Sequence, residues 1–423
     1  MKVLVVGSGG REHALVWKIA QSPRVDKVYC APGNAGIAEL AECVDIEDTE
    51  IARLRKFALQ EDIDLTVVGP EDPLCAGLAD MFRDKGLKVF GPDSRAAKIE
   101  GSKVFAKNFM QSQGIPTARF RVFNGAERAR DYVKRVDPPM VVKADGLAGG
   151  KAAFVCDTEE DALSAVERIM VDREFGDSGN QVVIEEKLEG EEASVLAFTD
   201  GQNIAFLPSS QDHKPAYDGD KGPNTGGMGA YSPAPVVDED IMSTVEREVI
   251  VQAIHGMHTE ERPYSGVLYA GLMITREGPS VLEFNCRLGD PELQPLIMRL
   301  ESDIVPIMMA TAEGRLDEVE MKWDPRPSLC VILASGGYPE DYEKGFPISG
   351  VEEADEMEDV QVFHSGTARR KGKLVTDGGR VLGVTARGDT IADAQERAYE
   401  AVEHIHFEGM HYRTDIGRKA LDR

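Results

Sequence analysis

Four short apolar runs, each closed by glycine or proline and separated by helical stretches, organise the N-terminal part of the chain. Residues 3–6 lead into Gly7, 28–30 into Pro32, 65–68 into Gly69-Pro70, and 89–90 into Gly91-Pro92. Apolar spacing between them predicts helices over 12–21, 51–61 and 78–85. This alternation points to a doubly wound α/β sheet, whose ligands sit at the carboxyl ends of its strands. The glycine and proline turns are therefore expected to converge on one crevice.

With 423 residues the chain exceeds a single core and should divide into several domains. A helix over 104–110 is stopped by Gly114 and Pro116, and strands are expected over 120–123, 140–142, 152–156 and 182–185. Asp200-Gly201 should join 194–199 and 203–207 in a hairpin. Residues 212–235, dense in Gly, Pro, Asp and Asn, read as a long irregular segment of the kind that is usually functional. Strands over 268–275 and 281–287 follow, and prolines near 323–327 mark a boundary before a smaller α/β domain from Ser328.

The formal charge of −26 weighs against a nucleic-acid partner, whose phosphates need a basic surface. No apolar run is long enough to span a bilayer, and the first lacks the pattern of a signal peptide. Six scattered cysteines without a Cys-x-x-Cys pair suit reduced thiols in a cytoplasmic protein. No membrane partner is expected.

Four strings carry chemistry. Gly7-Ser8-Gly9-Gly10-Arg11-Glu12-His13 opens a helix directly after the first strand, where backbone amides can cradle phosphate and Arg11 adds a fork. A dinucleotide site competes, although Cys30-Ala31-Pro32 offers no carboxylate for a ribose hydroxyl; a structural turn is the third reading. In Lys143-Ala144-Asp145-Gly146-Leu147-Ala148-Gly149-Gly150-Lys151 a lysine ends a buried strand, costly unless a fixed anion meets it. A hairpin loop with a snorkelling lysine is the alternative. Glu185-Glu186-Lys187-Leu188-Glu189-Gly190-Glu191-Glu192 offers backbone groups to an adenine edge and a later carboxylate to a ribose, or is an acidic solvated turn.

In Leu282-Glu283-Phe284-Asn285-Cys286-Arg287 side chains alternate faces, so Leu282, Phe284 and Cys286 should pack inward while Glu283, Asn285 and Arg287 share the other face. A carboxylate and an amide oxygen two residues apart suit Mg²⁺, and Arg287 suits a phosphoryl group or a carboxylate. A polar solvated face is the alternative, and Gly289-Asp290-Pro291-Glu292 adds further acid groups and a tight turn.

Together these strings resemble the phosphoribosylamine–glycine ligase family of ATP-grasp enzymes, also called glycinamide ribonucleotide synthetases. Residues 143–151, 185–192 and 283–285 are similar to the ATP-grasp nucleotide elements. Ala31-Pro32-Gly33-Asn34-Ala35-Gly36, Gly69-Pro70-Glu71-Asp72-Pro73-Leu74 and Gln211-Asp212-His213-Lys214 narrow the family. Most specific is Gly222-Pro223-Asn224-Thr225-Gly226-Gly227-Met228-Gly229-Ala230-Tyr231, and the likeness covers essentially the whole chain.

The resemblance implies an α/β and α+β multidomain protein. Residues 1–102 would form a doubly wound phosphoribosylamine domain, 103–325 an ATP-grasp domain with a mobile lid at about 120–188, and 326–423 a small α/β domain. It also implies ATP-dependent joining of glycine to 5-phosphoribosylamine through a glycyl phosphate, with Mg²⁺ or Mn²⁺, by a cytoplasmic monomer acting on small molecules. By the same resemblance Glu283 and Asn285 hold the metal, and Lys103, Lys143, Gly149, Gly150 and Lys151 meet the ATP phosphates. Glu185, Lys187 and Leu188 form the adenine hinge, Glu192 binds ribose, and Arg287 and Lys143 are catalytic. Gly9, Gly10, Arg11 and Glu12 take the ribosylamine phosphate, while Asp212, His213, Lys214, Asn224, Thr225, Gly226 and Gly227 lie near glycine and the amine.

The chain departs from the family pattern at Ala152, Pro215 and Leu288, where glycine, arginine and phenylalanine are usual. Residues 268–275 hold no second metal acid, as expected of this family. The run 145–151, with three glycines, should be poorly anchored without nucleotide. Another ATP-grasp carboxylate–amine ligase, or a nucleotide-binding sensor without turnover, are the other readings.

Overall fold

Val3, Leu4, Val5 and Val6 are fully buried, as are Leu65 and Val67, which marks a parallel sheet covered on both faces. The computed structural model describes residues 1–147 and 152–423. In it, five parallel strands stand in the order Glu42–Cys43, Lys27–Pro32, Lys2–Gly7, Leu65–Val68, Val89–Phe90. The order reverses between Lys2–Gly7 and Leu65–Val68, so Gly7 and Gly69 flank a topological switch point. The edge strand Glu42–Cys43 has no sequence signature, being only two residues long.

Two antiparallel sheets follow. One runs Phe120–Phe123, Val182–Glu186, Met140–Ala144, Ala153–Cys156 and closes over its own apolar cluster, which includes Val142, Val166 and Ile184. The other runs Ile204–Phe206, Glu191–Thr199, Gly266–Thr275, Gly278–Asn285. The hairpin at Asp200 forms because its Oδ1 accepts from the N–H groups of Gln202 and Asn203, at 2.9 and 2.7 Å. Gly201 supplies the left-handed backbone at φ +94° that the turn requires.

The segment expected to be irregular is about half extended, with short strands Gln211–Asp212, Pro215–Tyr217, Lys221–Asn224 and Gly229–Ser232. Strands of two to four residues are too short to show a period of two, and their turn glycines disguise them further. Gly229–Ser232 pairs with Ser328–Ala334, giving a sheet ordered Gln211–Asp212, Gly229–Ser232, Ser328–Ala334, Arg380–Arg387, Val360–His364. The C-terminal sheet therefore reaches back to carry Asp212 and its neighbours. Among the described residues no helix is long and apolar enough to cross a membrane.

Candidate active site

Gly9 precedes the helix Gly10–Ala20, and its N–H donates to Glu12 Oε2 at 2.6 Å, the half of a capping box that needs no side chain on Gly9. Arg11 and Glu12 are buried against each other, with Nε 2.8 Å from Oε1, and Arg11 Nη1 donates to the Leu288 carbonyl at 3.0 Å. The Leu288 departure leaves that bond intact, because backbone carries it. A side chain on Gly10 would displace Ser365 and Gln294, since its Cβ would lie 2.5 Å from Ser365 Oγ and 2.8 Å from Gln294 Nε2. Nearby Asp290 stays ionised: burial raises its carboxyl, but Arg380 and Arg11 outweigh burial and hold it below the usual range. Arg380 donates to the carbonyls of Gly226 at 2.7 Å and Asp290 at 2.8 Å, fixing the Gly226-Gly227 turn beside the crevice.

Lys143 near the end of Met140–Ala144 pairs with Glu185 in the adjacent strand, and Lys107 Nζ lies 2.6 Å from the second Glu185 oxygen. All three side chains are buried. Burial works against the Glu185 anion, yet Lys143 and Lys107 prevail and hold its carboxyl below the ordinary range. Burial draws Lys107 below its usual value, whereas Glu185 and Glu283 lift Lys143 above its own despite burial. Two lysines on one carboxylate leave one net positive charge facing the cavity. Glu185 itself sits in mid-sheet, aligned with Phe120 on one side and Val141 on the other. Its carboxylate is taken up by the two lysines, while Lys187 and Leu188 beyond it are half-buried. Lys187 Nζ reaches Asp157 Oδ1 at 2.8 Å.

Lys103 Nζ donates to the Gly146 carbonyl at 3.0 Å, and Ser102 caps the helix Lys103–Gln113, its Oγ accepting from the Phe105 N–H at 3.0 Å, with Asp145 bound to that cap. Asp145 Oδ1 accepts from Ser102 Oγ at 2.9 Å and from the Val104 N–H at 3.0 Å. The start of the glycine run is thus anchored, which corrects the expectation of a loose segment from residue 145 onward. Gly149, Gly150 and Lys151 lie outside the described residues. Because the Asp145 N–H also donates to the Gln181 carbonyl at 3.2 Å, its amide exchange should be slow both with and without a non-hydrolysable ATP analogue. Exchange at the rate of a free loop, read by mass spectrometry, would contradict this anchoring of Asp145.

Glu283 and Asn285 alternate along Gly278–Asn285, and with Arg287 they line one cavity together with Lys103, Lys107 and Lys143. Phe284 and Cys286 pack into the core as expected, but Leu282 does not. A register shift opposite Gly271 and Leu272 bulges the strand there, and Leu282 lines the cavity instead. Burial disfavours the Glu283 anion, but Lys214, Lys103 and Lys143 hold its carboxyl below the ordinary range. An ionised carboxylate beside an amide oxygen fits a hard divalent cation. Among the described residues no group of three or more His, Cys, Asp or Glu is placed to hold a metal, so further positions would fall to phosphate and water. Arg287 is clamped by Glu71 and Glu100, each at 3.0 Å, and Glu100 also accepts the Cys286 N–H at 2.6 Å.

Lys214 pairs with Glu192 and lies 4.0 Å from Asp212 Oδ1. Glu192, expected at a ribose, is here a lysine partner. His213 departs from the expected group. It packs on Tyr231 with ring centroids 5.8 Å apart and is fully buried. Burial first, then Arg413 and Lys419, lower its pKa to about 3, so it is neutral; it lies on the opposite face from Asp212 and Lys214, and neither ring nitrogen has a partner among the described residues. Thr225 holds the Lys214 backbone, its Oγ1 and N–H donating to that carbonyl at 2.7 and 2.8 Å. Asn224 is exposed. The C-terminal segment locks the intervening hairpin: Arg413 Nη1 donates to the Pro215 carbonyl at 3.1 Å, and Asp415 accepts the Gly219 N–H at 2.8 Å. Pro215 takes part through a carbonyl that any residue would supply.

Three family models match the chain in order. They describe the N domain of phosphoribosylglycinamide synthetase over residues 1–100, its ATP-grasp (A) domain over 101–293 and its C domain over 328–419. The chain belongs to the phosphoribosylglycinamide synthetase family. It is 54% identical to the phosphoribosylamine–glycine ligase of Rhodopirellula baltica over 426 residues, covering 99% of this chain and 98% of that protein. The Pseudomonas aeruginosa ligase is 52% identical, covering 100% and 99%. A crystal structure of the Thermotoga maritima ligase, 36% identical, superposes with a TM-score of 0.86 over 98% of this chain and 100% of that one. A biotin carboxylase domain from Hydrogenobacter thermophilus, 17% identical, shares the fold with a TM-score of 0.75 over 97% and 91%.

In this synthetase fold several residues join the site that sequence reasoning did not single out. Lys107 follows Lys103 by four on one helix face, a spacing that was there to be read. Glu71 and Glu100, which hold Arg287, and Arg380, which bridges two turns, come from remote segments, so that no local spacing ties them to the residues they hold.

Proposed function

We propose that the chain joins glycine to 5-phosphoribosylamine at the expense of ATP, giving glycinamide ribonucleotide, ADP and phosphate, a step of purine synthesis. The observation that carries this reading is the single cavity where three lysines, Arg287, Glu283 and Asn285 meet. Arg287 also lines the smaller cavity bounded by Arg11 and Gly69, so nucleotide chemistry and the N-terminal crevice share one residue.

A carboxylate is a poor acyl donor, so the glycine carboxylate oxygen first attacks the γ-phosphorus and ADP leaves. The ribosylamine nitrogen then attacks the acyl carbon of glycyl phosphate, and the phosphate leaves as the amide bond forms. No side-chain nucleophile takes part, and the residues act by placement and charge. Lys143, with Lys107 behind it through Glu185, and Lys103 offset the triphosphate charge, while Arg287 faces the transferring phosphoryl group. The reaction uses ATP and a divalent cation; Glu283 and Asn285 would hold it as Mg²⁺ or Mn²⁺, where it neutralises phosphate charge. Lys187 and Leu188 supply the adenine edge, and the run containing Gly149, Gly150 and Lys151 closes over the phosphates, keeping water from the acyl phosphate. Glu192 reaches the ribose once Lys214 has turned to substrate.

Residues 1–102 act as the phosphoribosylamine domain, 103–325 as the ATP-grasp domain and 326–423 as a small C-terminal domain of a monomer. Six free cysteines suit a reducing cytoplasm.

ADP release, with ribosylamine generated in situ and each substrate omitted in turn, tests the reading. Sustained release, beyond one ADP per enzyme, is expected only when glycine and ribosylamine are both present. Release that ignores either one points to a different ligase or to idle hydrolysis. Within the same assay Arg11→Ala should raise the KM for ribosylamine by at least tenfold, since a hydrogen bond to a charged group is worth about 1.5–3 kcal/mol. An ATP-selective defect would move the nucleotide to the N-terminal domain.

A further inference from the structure

Asp212 stands apart from the other carboxylates of the site. Glu185 has two lysines, Glu283 faces several cations, Glu71 and Glu100 hold Arg287, and Glu192 holds Lys214. The Asp212 side chain is only 5% exposed, and its nearest cation, Lys214, is 4.0 Å away and engaged by Glu192. Among the described residues no other residue's N–H or O–H donates a hydrogen bond to it. With only its own N–H as a donor, this nearly buried carboxylate keeps acceptor capacity for a hydrogen supplied by a ligand.

The groups around it are defined. Glu191–Thr199 contributes Glu192 and Ser194, Gly266–Thr275 contributes Tyr269, and Glu292 stands at the head of the helix Leu293–Arg299. Gly229–Ser232 adds no ionisable group on this side, since the Tyr231 hydroxyl is bonded to Gln211. Tyr269 Oη donates to Glu292 Oε1 at 2.5 Å and accepts from Ser194 Oγ at 2.7 Å, so these three satisfy one another and leave Asp212 free. Lys214, charged and beside it, also faces Glu283 of the phosphoryl site.

Resting on the ligase reading above, we propose that Asp212 takes the proton from the ribosylamine nitrogen as the amide bond forms. The nitrogen lone pair makes the C–N bond, the acyl C–O bond breaks with its electrons leaving on phosphate, and the nitrogen's proton passes to an Asp212 oxygen. Water removes that proton as product departs. Burial, chiefly, and the Glu292 and Glu192 charges raise the Asp212 carboxyl to about 7 against the pull of Lys214, a value suited to a base at neutral pH.

The test is steady-state kinetics of Asp212→Asn and Asp212→Glu across pH 5.5–9, with thermal unfolding as a check on folding. Asp212→Asn is expected to lose about 10²–10⁴-fold in kcat while the KM values for ATP and glycine stay within about twofold. The rising limb of the wild-type rate near neutral pH should vanish in Asp212→Asn and return, shifted, in Asp212→Glu. A kcat within about threefold of wild type overturns the proposal, as does a rising limb that survives in Asp212→Asn. A rise in glycine KM that matches the loss of rate also overturns it, since Asp212 would then be binding the glycine ammonium. Wild-type ADP release that ignores ribosylamine sinks the ligase reading itself, a separate failure.

Discussion

Replacing Glu283 with glutamine is expected to lower kcat by about 10²–10³-fold, the scale seen when one electrostatic contact to a transition state is lost. The change keeps the side chain's shape and removes its charge from a pocket where Lys214, Lys103, Lys143 and Arg287 favour an anion. Raising Mg²⁺ should recover part of the rate, because the amide oxygen remains a donor of weaker field. Cys286→Ser is the companion change on the opposite face. Cys286 is buried in the apolar core, so its hydroxyl should cost about 1–3 kcal/mol of stability while kcat stays within a few-fold. ADP release as a function of Mg²⁺, with urea unfolding of both variants, separates the two faces. Near-normal turnover of Glu283→Gln at limiting Mg²⁺ would falsify the assignment of Glu283 to the cation.

That pairing was legible because a strand's period is fixed by backbone geometry, and Glu283, Asn285 and Arg287 needed only to be counted. Leu282 was misplaced by the same rule, since a bulge is a property of two strands in register and not of one sequence. The N-terminal sheet could be read from its strand ends, because each glycine or proline sits where the chain must turn. His213 could not be assigned from Gln211-Asp212-His213-Lys214, because the alternation that brings Asp212 and Lys214 together turns His213 toward Tyr231. Glu185 was read for what its strand end could offer a ligand. Its duty was settled instead by Lys107, which lies 78 residues earlier in the numbering of the chain and meets it only in the fold. Charge partnerships across such separations carry no pattern, which is why the Arg287 clamp and the Arg380 bridge went unseen while the residues they position did not.

The lysine pair on Glu185 supports the second large effect. Glu185→Ala should destabilise the protein by about 3–5 kcal/mol, the range for breaking a buried ion pair from one side, because it strands Lys107 and Lys143 in a buried site. Glu185→Gln should cost less, since the amide oxygen can still accept from one of them. The pH dependence has a definite sign. The folded-state pKa of Glu185 is lowered, so its stabilisation is fully present above the unfolded glutamate value of about 4.3 and disappears as pH falls through the lower folded value. The stability gap between wild type and Glu185→Gln, measured by urea unfolding, should therefore be constant near neutrality and close in acid. A gap that widens in acid would mean the carboxylate is not held by the lysines. Lys107→Met separates charge from stability. It leaves the Glu185–Lys143 pair intact but neutral, so the surplus positive charge facing the phosphates is gone. ATP affinity should then fall by more than tenfold, about 1.4 kcal/mol, while stability changes less than in Glu185→Ala. Unchanged ATP binding by Lys107→Met in calorimetry would show that the triphosphate meets Lys143 alone, and that the second lysine serves only to bury Glu185.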